Sequence, residues 1–126
     1  MSRTIFETAS TYVCVDDQPD PNAGGACHRY SIHRKSADLE LIHTIEFQHG
    51  PVSGNGINGI QHAELLAIIQ HRLDCFQRGP FASAVNEVTA GAVGAALASD
   101  GTRTRRRTLA GVEGTNATAL GVERVA

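Results

Sequence analysis

The hydrophobic pattern of this chain changes its period near residue 60, and this change limits the possible folds more than any other feature. Residues 39–48 alternate in the period of two that a β-strand requires, with Leu41, His43, Ile45 and Phe47 on one face. Residues 62–77 instead follow the spacing of an amphipathic helix, with an apolar face formed by Leu65, Leu66, Ile69, Leu73 and Phe76. The sequence therefore predicts an α+β fold, with strands first and helices second.

The segments on either side of this change extend the prediction. Shorter strands are expected at residues 12–15 and 27–34, and the short loops between the strands indicate an antiparallel meander. Gly79-Pro80 is expected to end the first helix, and a second helix is predicted from about residue 81 to about Leu109, with Gly101 as the candidate for a kink. The predicted layout is one domain over residues 1–115, with a sheet in 1–50, a helical hairpin in 60–110 and a flexible tail in 116–126.

The composition favours a small protein that gains stability from subunit packing. The 126 residues include two Tyr, four Phe and no Trp, so a single chain offers little large apolar surface for a core. No apolar run approaches the ~20 residues that span a bilayer, and no signal peptide is evident, which predicts a cytoplasmic protein without a membrane partner. The three cysteines are expected to be free thiols, with a disulfide between Cys14 and Cys27 as the alternative.

Residues 54–59 spell G-x-G-x-x-G, the pattern of a dinucleotide-binding turn. That motif requires a parallel strand after the helix, whereas here the helix leads into a second helix. The segment is therefore interpreted as a turn that joins the sheet to the first helix.

Catalytic and metal sites are not indicated. His62 and His71 are nine residues apart, which places them on opposite faces of a helix. The remaining candidates, which show no zinc-ligand spacing, are Cys27, His28, His33 and His43. With no recognisable nucleophile–base set or paired carboxylates, the sequence predicts a protein that is not an enzyme and holds neither metal nor cofactor.

Arginines are concentrated at residues 103–107. Four of the eleven Lys and Arg residues lie in this segment of a chain that carries thirteen Asp and Glu. Arg103 and Arg107 are four residues apart, so they share one helical face, and two guanidinium forks suit a diphosphate or a phosphodiester ring. The alternative is a solvated helix end, where cations complement the macrodipole.

Two residues outside this cluster have side chains suited to a nucleotide. Phe76 can stack on a base, although its place in the apolar stripe also fits a core residue. Asn86 can bond a base edge or a ribose hydroxyl, or it can be an exposed polar residue. Asn86 and Arg103 are seventeen residues apart, about 26 Å on one continuous helix. A small ligand that touches both must therefore lie between two protomers, unless the helix folds back at Gly101.

Several segments together resemble a family of phage sponge proteins that sequester the cyclic nucleotide signals of bacterial Thoeris and CBASS immunity. The matching stretches are FQHGPV (47–52), NGINGI (55–60), LLAIIQHRLDCFQRGPFA (65–82), Asn86, RTRRR (103–107) and GVEGT (111–115). Because a sheet precedes the helical hairpin, the chain looks like the long, anti-Thoeris members of this family.

The resemblance implies a homohexamer that binds glycocyclic ADP-ribose between protomers without cleaving it. It places the stacking aromatic at Phe76, the polar contact at Asn86 and the phosphate-binding pair at Arg103 and Arg107. Some members also hold cyclic di- or trinucleotides near a C-terminal glycine–threonine pair, which corresponds to Gly114 and Thr115.

A different class of function remains as the alternative. The Arg103–Arg107 cluster would also suit a small, non-enzymatic nucleic-acid-binding protein that contacts phosphates without sequence preference. The net charge of −2 and the lack of a second basic patch argue against it.

Overall fold

The computed structural model of the protein describes residues 2–111, which form two compact units. Residues 2–60 contain an antiparallel sheet, and residues 61–111 contain a helical hairpin. The α+β class predicted from the change of hydrophobic period is confirmed. The single domain proposed for residues 1–115 stays a prediction, and the tail proposed for residues 116–126 lies outside the described residues.

The sheet has four strands in the order of the chain: β1 (Arg3–Glu7), β2 (Thr11–Val15), β3 (Arg29–Arg34) and β4 (Leu41–Glu46). Each neighbouring pair is antiparallel, so the predicted meander is confirmed. Strand β1 was not predicted. Its register with β2 shifts between Thr4 and Phe6, and such a bulge breaks the period of two by which a strand is recognised.

Register places the most buried apolar residue at the end of β2, one of the two inner strands. Val15 pairs with Tyr30, which in turn pairs with Ile45, so the three share one face. Val15 is only 2% exposed and is the single buried hydrophobic residue among residues 2–111. The sheet unit therefore has a very small apolar core.

The glycine-rich segment after β4 is a closed loop with a short helix, α1 (Val52–Asn55). Its end returns to the sheet, where the backbone of Ile60 exchanges hydrogen bonds with Glu46 (2.9 Å) and Gln48 (2.8 Å). Gly59 lies so close to Phe47 that an added Cβ would be 2.5 Å from the Phe47 carbonyl carbon. The glycines thus serve a tight turn, as predicted, and the described sheet contains no parallel strand of a dinucleotide-binding fold.

The hairpin consists of α2 (His62–Gln77) and α3 (Ala84–Leu109). Glu64 accepts a hydrogen bond from the Gln61 backbone nitrogen (2.7 Å), and the Ser83 hydroxyl accepts one from the Asn86 nitrogen (3.0 Å). These bonds cap the two helix starts. Helix α3 runs unbroken through Gly101, so the chain does not fold back at that residue.

Helix α2 packs against α3 within this unit. Gly94 provides part of the close approach, because its Cβ position lies 3.2 Å from Oε1 of Gln70, whereas Gly91 has no such neighbour within 4 Å. No residue of either helix is fully buried. None of the helices in the described part of the chain combines the length and apolar character needed to cross a bilayer.

Candidate functional site

Phe76 and Asn86 lie at the same end of the hairpin, on either side of the turn formed by residues 78–83. Both side chains are half-buried. The guanidinium carbon of Arg72 is 5.1 Å from the centroid of the Phe76 ring, which places a cation beside the proposed stacking residue. The Asn86 amide donates a long hydrogen bond (3.4 Å) to the backbone oxygen of Phe81.

The turn between these residues is rigidly held by one side chain. The amide of Gln77 donates to the Ser83 backbone oxygen (3.1 Å) and accepts from the Ser83 backbone nitrogen (2.9 Å). Since Ser83 also caps α3, the end of α2 and the start of α3 are fixed together. Phe76 and Asn86 are therefore presented from a preformed end of the hairpin.

The arginine cluster lies at the opposite end of α3. Arg103, 53% exposed, donates to Asp100 through Nη2 (2.8 Å), and Arg105 donates to the Thr102 hydroxyl (3.0 Å). Arg106 and Arg107 lie in the last helical turn, where positive charge complements the macrodipole. These local contacts are what a solvated helix end, the alternative to a phosphate site, would show. Arg103 is nevertheless exposed and presents positive charge to solvent.

The continuity of α3 separates the proposed ligand residues into two groups. Asn86 and Arg103 are joined by seventeen residues of uninterrupted helix, which corresponds to about 26 Å. One protomer therefore cannot bring both to the same small nucleotide. Phe76 and Asn86 form one partial site, and Arg103 and Arg107 form another.

The structure also shows a cluster that sequence analysis missed. A cavity of about 320 Å³ opens in the sheet unit. Its lining residues are Asp17, His28, Arg29, Glu46, Phe47, His49 and Asn58. No sequence signal groups them, because they come from a loop, two strand ends and the glycine-rich segment, and only the strand register brings these together.

The imidazole rings of His28 and His49 stack in this cavity, with centroids 4.3 Å apart and planes within 1° of parallel. Nε2 of His49 pairs with Oδ2 of Asp20 (2.7 Å). The side-chain amide of Asn58 makes two hydrogen bonds to the backbone of His49. Its Oδ1 accepts from the His49 nitrogen, and its Nδ2 donates to the His49 oxygen, each at 2.8 Å. His49 is thus fixed by its ring, its charge partner and its backbone.

Two carboxylates next to these rings favour the ionised state. The hydrogen bond from His49 is the main reason why the pKa of Asp20 lies below its ordinary value. Burial alone would raise the pKa of Asp17, but the hydrogen bonds from the backbone nitrogens of His28 and Arg29 outweigh it, and the net shift is downward. Both groups therefore carry negative charge at neutral pH.

The remaining features considered in the sequence are the cysteines, a metal site and a second nucleotide site. The three cysteines are free, as expected. Within residues 2–111, no three His, Cys, Asp or Glu side chains are grouped as a metal ion would require. Gly114 and Thr115, the residues of the possible second nucleotide site, lie outside the described residues.

Comparison with known proteins gives one informative relative. No protein-family model matches the chain. Over 102 residues, the chain is 32% identical to the Bacillus phage SBSphiJ7 protein named Thoeris anti-defense 1. The aligned region covers 81% of this chain and 70% of that protein.

Proposed function

This chain belongs to the family of Thoeris anti-defense 1, and we propose that it is a phage counter-defence protein that acts against Thoeris immunity. The proposed mode of action is sequestration. The protein binds a cyclic nucleotide signal, chiefly glycocyclic ADP-ribose, in the cytoplasm of the infected bacterium and holds it without cleavage. Such a sponge needs affinity and abundance, and it needs no catalytic group.

The observation that carries this proposal is the separation of the two partial sites along α3. An aromatic ring with an amide at one end and paired guanidinium groups at the other match the base, ribose and pyrophosphate of one ligand. Because about 26 Å of helix separates them, a complete site requires two copies of the chain. In this arrangement Phe76 stacks on adenine, Asn86 bonds a sugar or base, and Arg103 and Arg107 of another copy neutralise the pyrophosphate.

The exposed apolar surface of the helices supports this self-association. Val85 and Val88 of α3 are 75% and 74% exposed in the single chain, and Ile68 of α2 is 64% exposed. Exposed aliphatic residues on neighbouring turns are typical of an interaction surface. A homohexamer is the assembly that we propose, on the resemblance to the sponge family.

Binding of CBASS cyclic di- or trinucleotides is a narrower extension of the proposal. It rests on the resemblance around Gly114 and Thr115 alone. A titration with a cyclic dinucleotide in excess glycocyclic ADP-ribose separates the two kinds of site, because an independent second site stays available under those conditions.

The decisive experiment is to incubate the protein with glycocyclic ADP-ribose, remove free ligand by filtration and then heat-denature the protein. Sequestration predicts recovery of the intact ligand, identified by mass spectrometry. A cleaved product would establish an enzyme instead, and tight, strongly salt-dependent duplex binding in a gel shift would favour the nucleic-acid alternative.

A pair of arginine variants tests the phosphate clamp in the same assay. Arg107→Ala removes one charge-assisted hydrogen-bonding group and should weaken binding by roughly 1.5–3 kcal/mol, or about 10- to 150-fold. Arg105→Ala removes the same charge from the other side of the helix and serves as the matched control. Equal losses in both variants would show that only the overall charge of the cluster matters.

A further inference from the structure

Arg72 and Phe76 form a cation–aromatic pair on α2. They are four residues apart, so their side chains lie on one face of the helix, one turn from each other. The guanidinium carbon of Arg72 lies over the Phe76 ring, 5.1 Å from its centroid. Arg72 is exposed and Phe76 is half-buried, so the guanidinium separates one face of the ring from solvent. A base that approaches this face of Phe76 therefore meets Arg72 first.

No carboxylate explains the position of the Arg72 side chain. Other arginines pair with carboxylates, at 3.0 Å for Arg29, 3.7 Å for Arg34 and 2.8 Å for Arg103. In the described part of the chain, Arg72 has neither an ion pair nor a hydrogen bond of its guanidinium, and its contact is with the Phe76 ring. Because a guanidinium has five N–H donors and a plane that stacks on aromatic rings, this group is available to a ligand.

Both members of this pair are surfaces on which nucleobases stack, since bases bind to aromatic rings and to guanidinium planes alike. A cation–aromatic contact at an exposed position is weak, so a base can replace it at little cost. The long, exposed side chain of Arg72 can swing outward by the thickness of one ring without any change in α2. The base then has the Phe76 ring on one side and the guanidinium on the other.

We propose that Arg72 is a further ligand-binding residue, which closes a slot for a planar base over Phe76. The inference rests on the nucleotide site proposed above and adds the feature that selects a flat aromatic ring. The cations of that site then have different roles. Arg72 holds the base in the protomer that supplies Phe76, whereas Arg103 and Arg107 of another copy bind the pyrophosphate.

Calorimetric titration of the full chain with glycocyclic ADP-ribose tests the slot through two variants of Arg72. Arg72→Ala removes the plane and the charge and should weaken binding about fivefold or more, the effect of losing one stacking partner. Arg72→Lys keeps the charge but lacks the plane, so it should lose nearly as much. Arg34→Ala removes an exposed arginine of the sheet unit and should bind like the wild type. Circular dichroism checks that each variant is folded, which we expect because Arg72 is exposed and Ala favours a helix.

A double-mutant cycle with Phe76→Ala measures whether both side chains hold the same base. If the base lies between them, the double variant should lose less binding free energy than the two single variants together, because either replacement alone opens the slot. Additive losses would place Arg72 outside the base contact. Full affinity in Arg72→Lys would show that charge alone matters, and full affinity in Arg72→Ala would show that Arg72 does not hold the ligand. Each of these three results overturns the slot.

The slot and the sponge proposal fail in distinguishable ways. A wild type that does not bind glycocyclic ADP-ribose overturns both. A wild type that binds it, together with an Arg72→Ala variant of equal affinity, overturns the slot alone and leaves the sponge proposal in place.

Discussion

At the scale of single residues, Asp20 connects two loops of the sheet unit. One oxygen accepts from the Asn22 backbone nitrogen (2.9 Å) at the start of a short 3-10 turn, and the other pairs with His49 (2.7 Å). Both contacts favour the charged carboxylate, which is why its pKa is lowered. Asp20 therefore links folding of this unit to protonation.

The direction of this linkage gives a pH prediction. With its folded pKa below the unfolded value, Asp20 contributes stability that is fully present above about pH 4, the ordinary range of an aspartate, and is lost as pH falls through the folded pKa. The free energy of unfolding should thus decline as the pH falls below about 4, and that of Asp20→Asn should decline less. Denaturant titrations at several pH values measure both slopes.

Asp38→Asn provides the control for that experiment, since it removes an exposed carboxylate from the turn before β4. It should follow the wild-type slope. Parallel slopes for wild type and Asp20→Asn would show that the contact with His49 does not stabilise the charged carboxylate.

At the scale of elements, the sequence predicts best where local chemistry alone determines structure. The predicted bounds of α2, residues 62–77, match the helix, because its apolar face and the Gly79-Pro80 stop are encoded in neighbouring positions. Helix α3 begins at Ala84, later than predicted, because Ser83 caps it. Strand β1 was not predicted, because its bulge disrupts the alternation of apolar and polar residues that identifies a strand.

The candidate sites, too, could be predicted from the sequence only where local patterns mark them. Phe76, Asn86 and the arginines were identifiable because each belongs to a motif or a helical face. The cavity around His28 and His49 was not, because twenty-one residues separate the two rings and only the pairing of β3 with β4 and the return of the following loop bring them together. Tertiary register of this kind has no local signature.

The closure of that loop on the sheet depends on one glycine. At Gly59 a Cβ would lie 2.5–2.7 Å from backbone atoms of Phe47 and Glu46, which cannot move without breaking the hydrogen bonds at Ile60. Gly59→Ala should lower the free energy of unfolding by about 1–3 kcal/mol. Gly54→Ala in α1, where the added Cβ would meet no atom within 4 Å apart from its chain neighbours and its own helix backbone, should be neutral or slightly stabilising.

Chemical denaturation of the two variants, followed by circular dichroism, checks this prediction. The comparison is well matched, because both glycines belong to the same loop and both variants add one methyl group. Equal stability of the two alanine variants would mean that the loop relaxes away from the sheet at little cost.

At the scale of the whole molecule, the single chain leaves too much apolar surface exposed for its small core. Val15 is the one hydrophobic residue that is fully buried among residues 2–111, and no residue of α2 or α3 is buried. Burial of apolar surface is the main favourable term in folding and association. Contacts between copies of the chain would supply the burial that the separate protomer lacks, and they are also what the divided nucleotide site requires.

Val88→Glu tests both requirements together. If the exposed face of α3 lies in an interface, an uncompensated charge there should weaken association by about 3 kcal/mol or more. Analytical ultracentrifugation should show the wild type as an assembly and the variant shifted toward the 13.4 kDa chain. Ala37→Glu, which adds the same charge at an exposed position of the turn before β4, outside α3, should keep the wild-type mass.

Measuring the ligand affinity of Val88→Glu distinguishes a loss of assembly from a loss of ligand contacts within one chain. Val88→Glu leaves Phe76, Asn86 and the arginines intact, yet it should lose affinity for glycocyclic ADP-ribose in proportion to dissociation, because about 26 Å of rigid α3 prevents one chain from completing the site. Raising the protein concentration should restore binding by mass action. A dissociated variant that binds as tightly as the wild type would show that one partial site suffices and that the shared site is wrong.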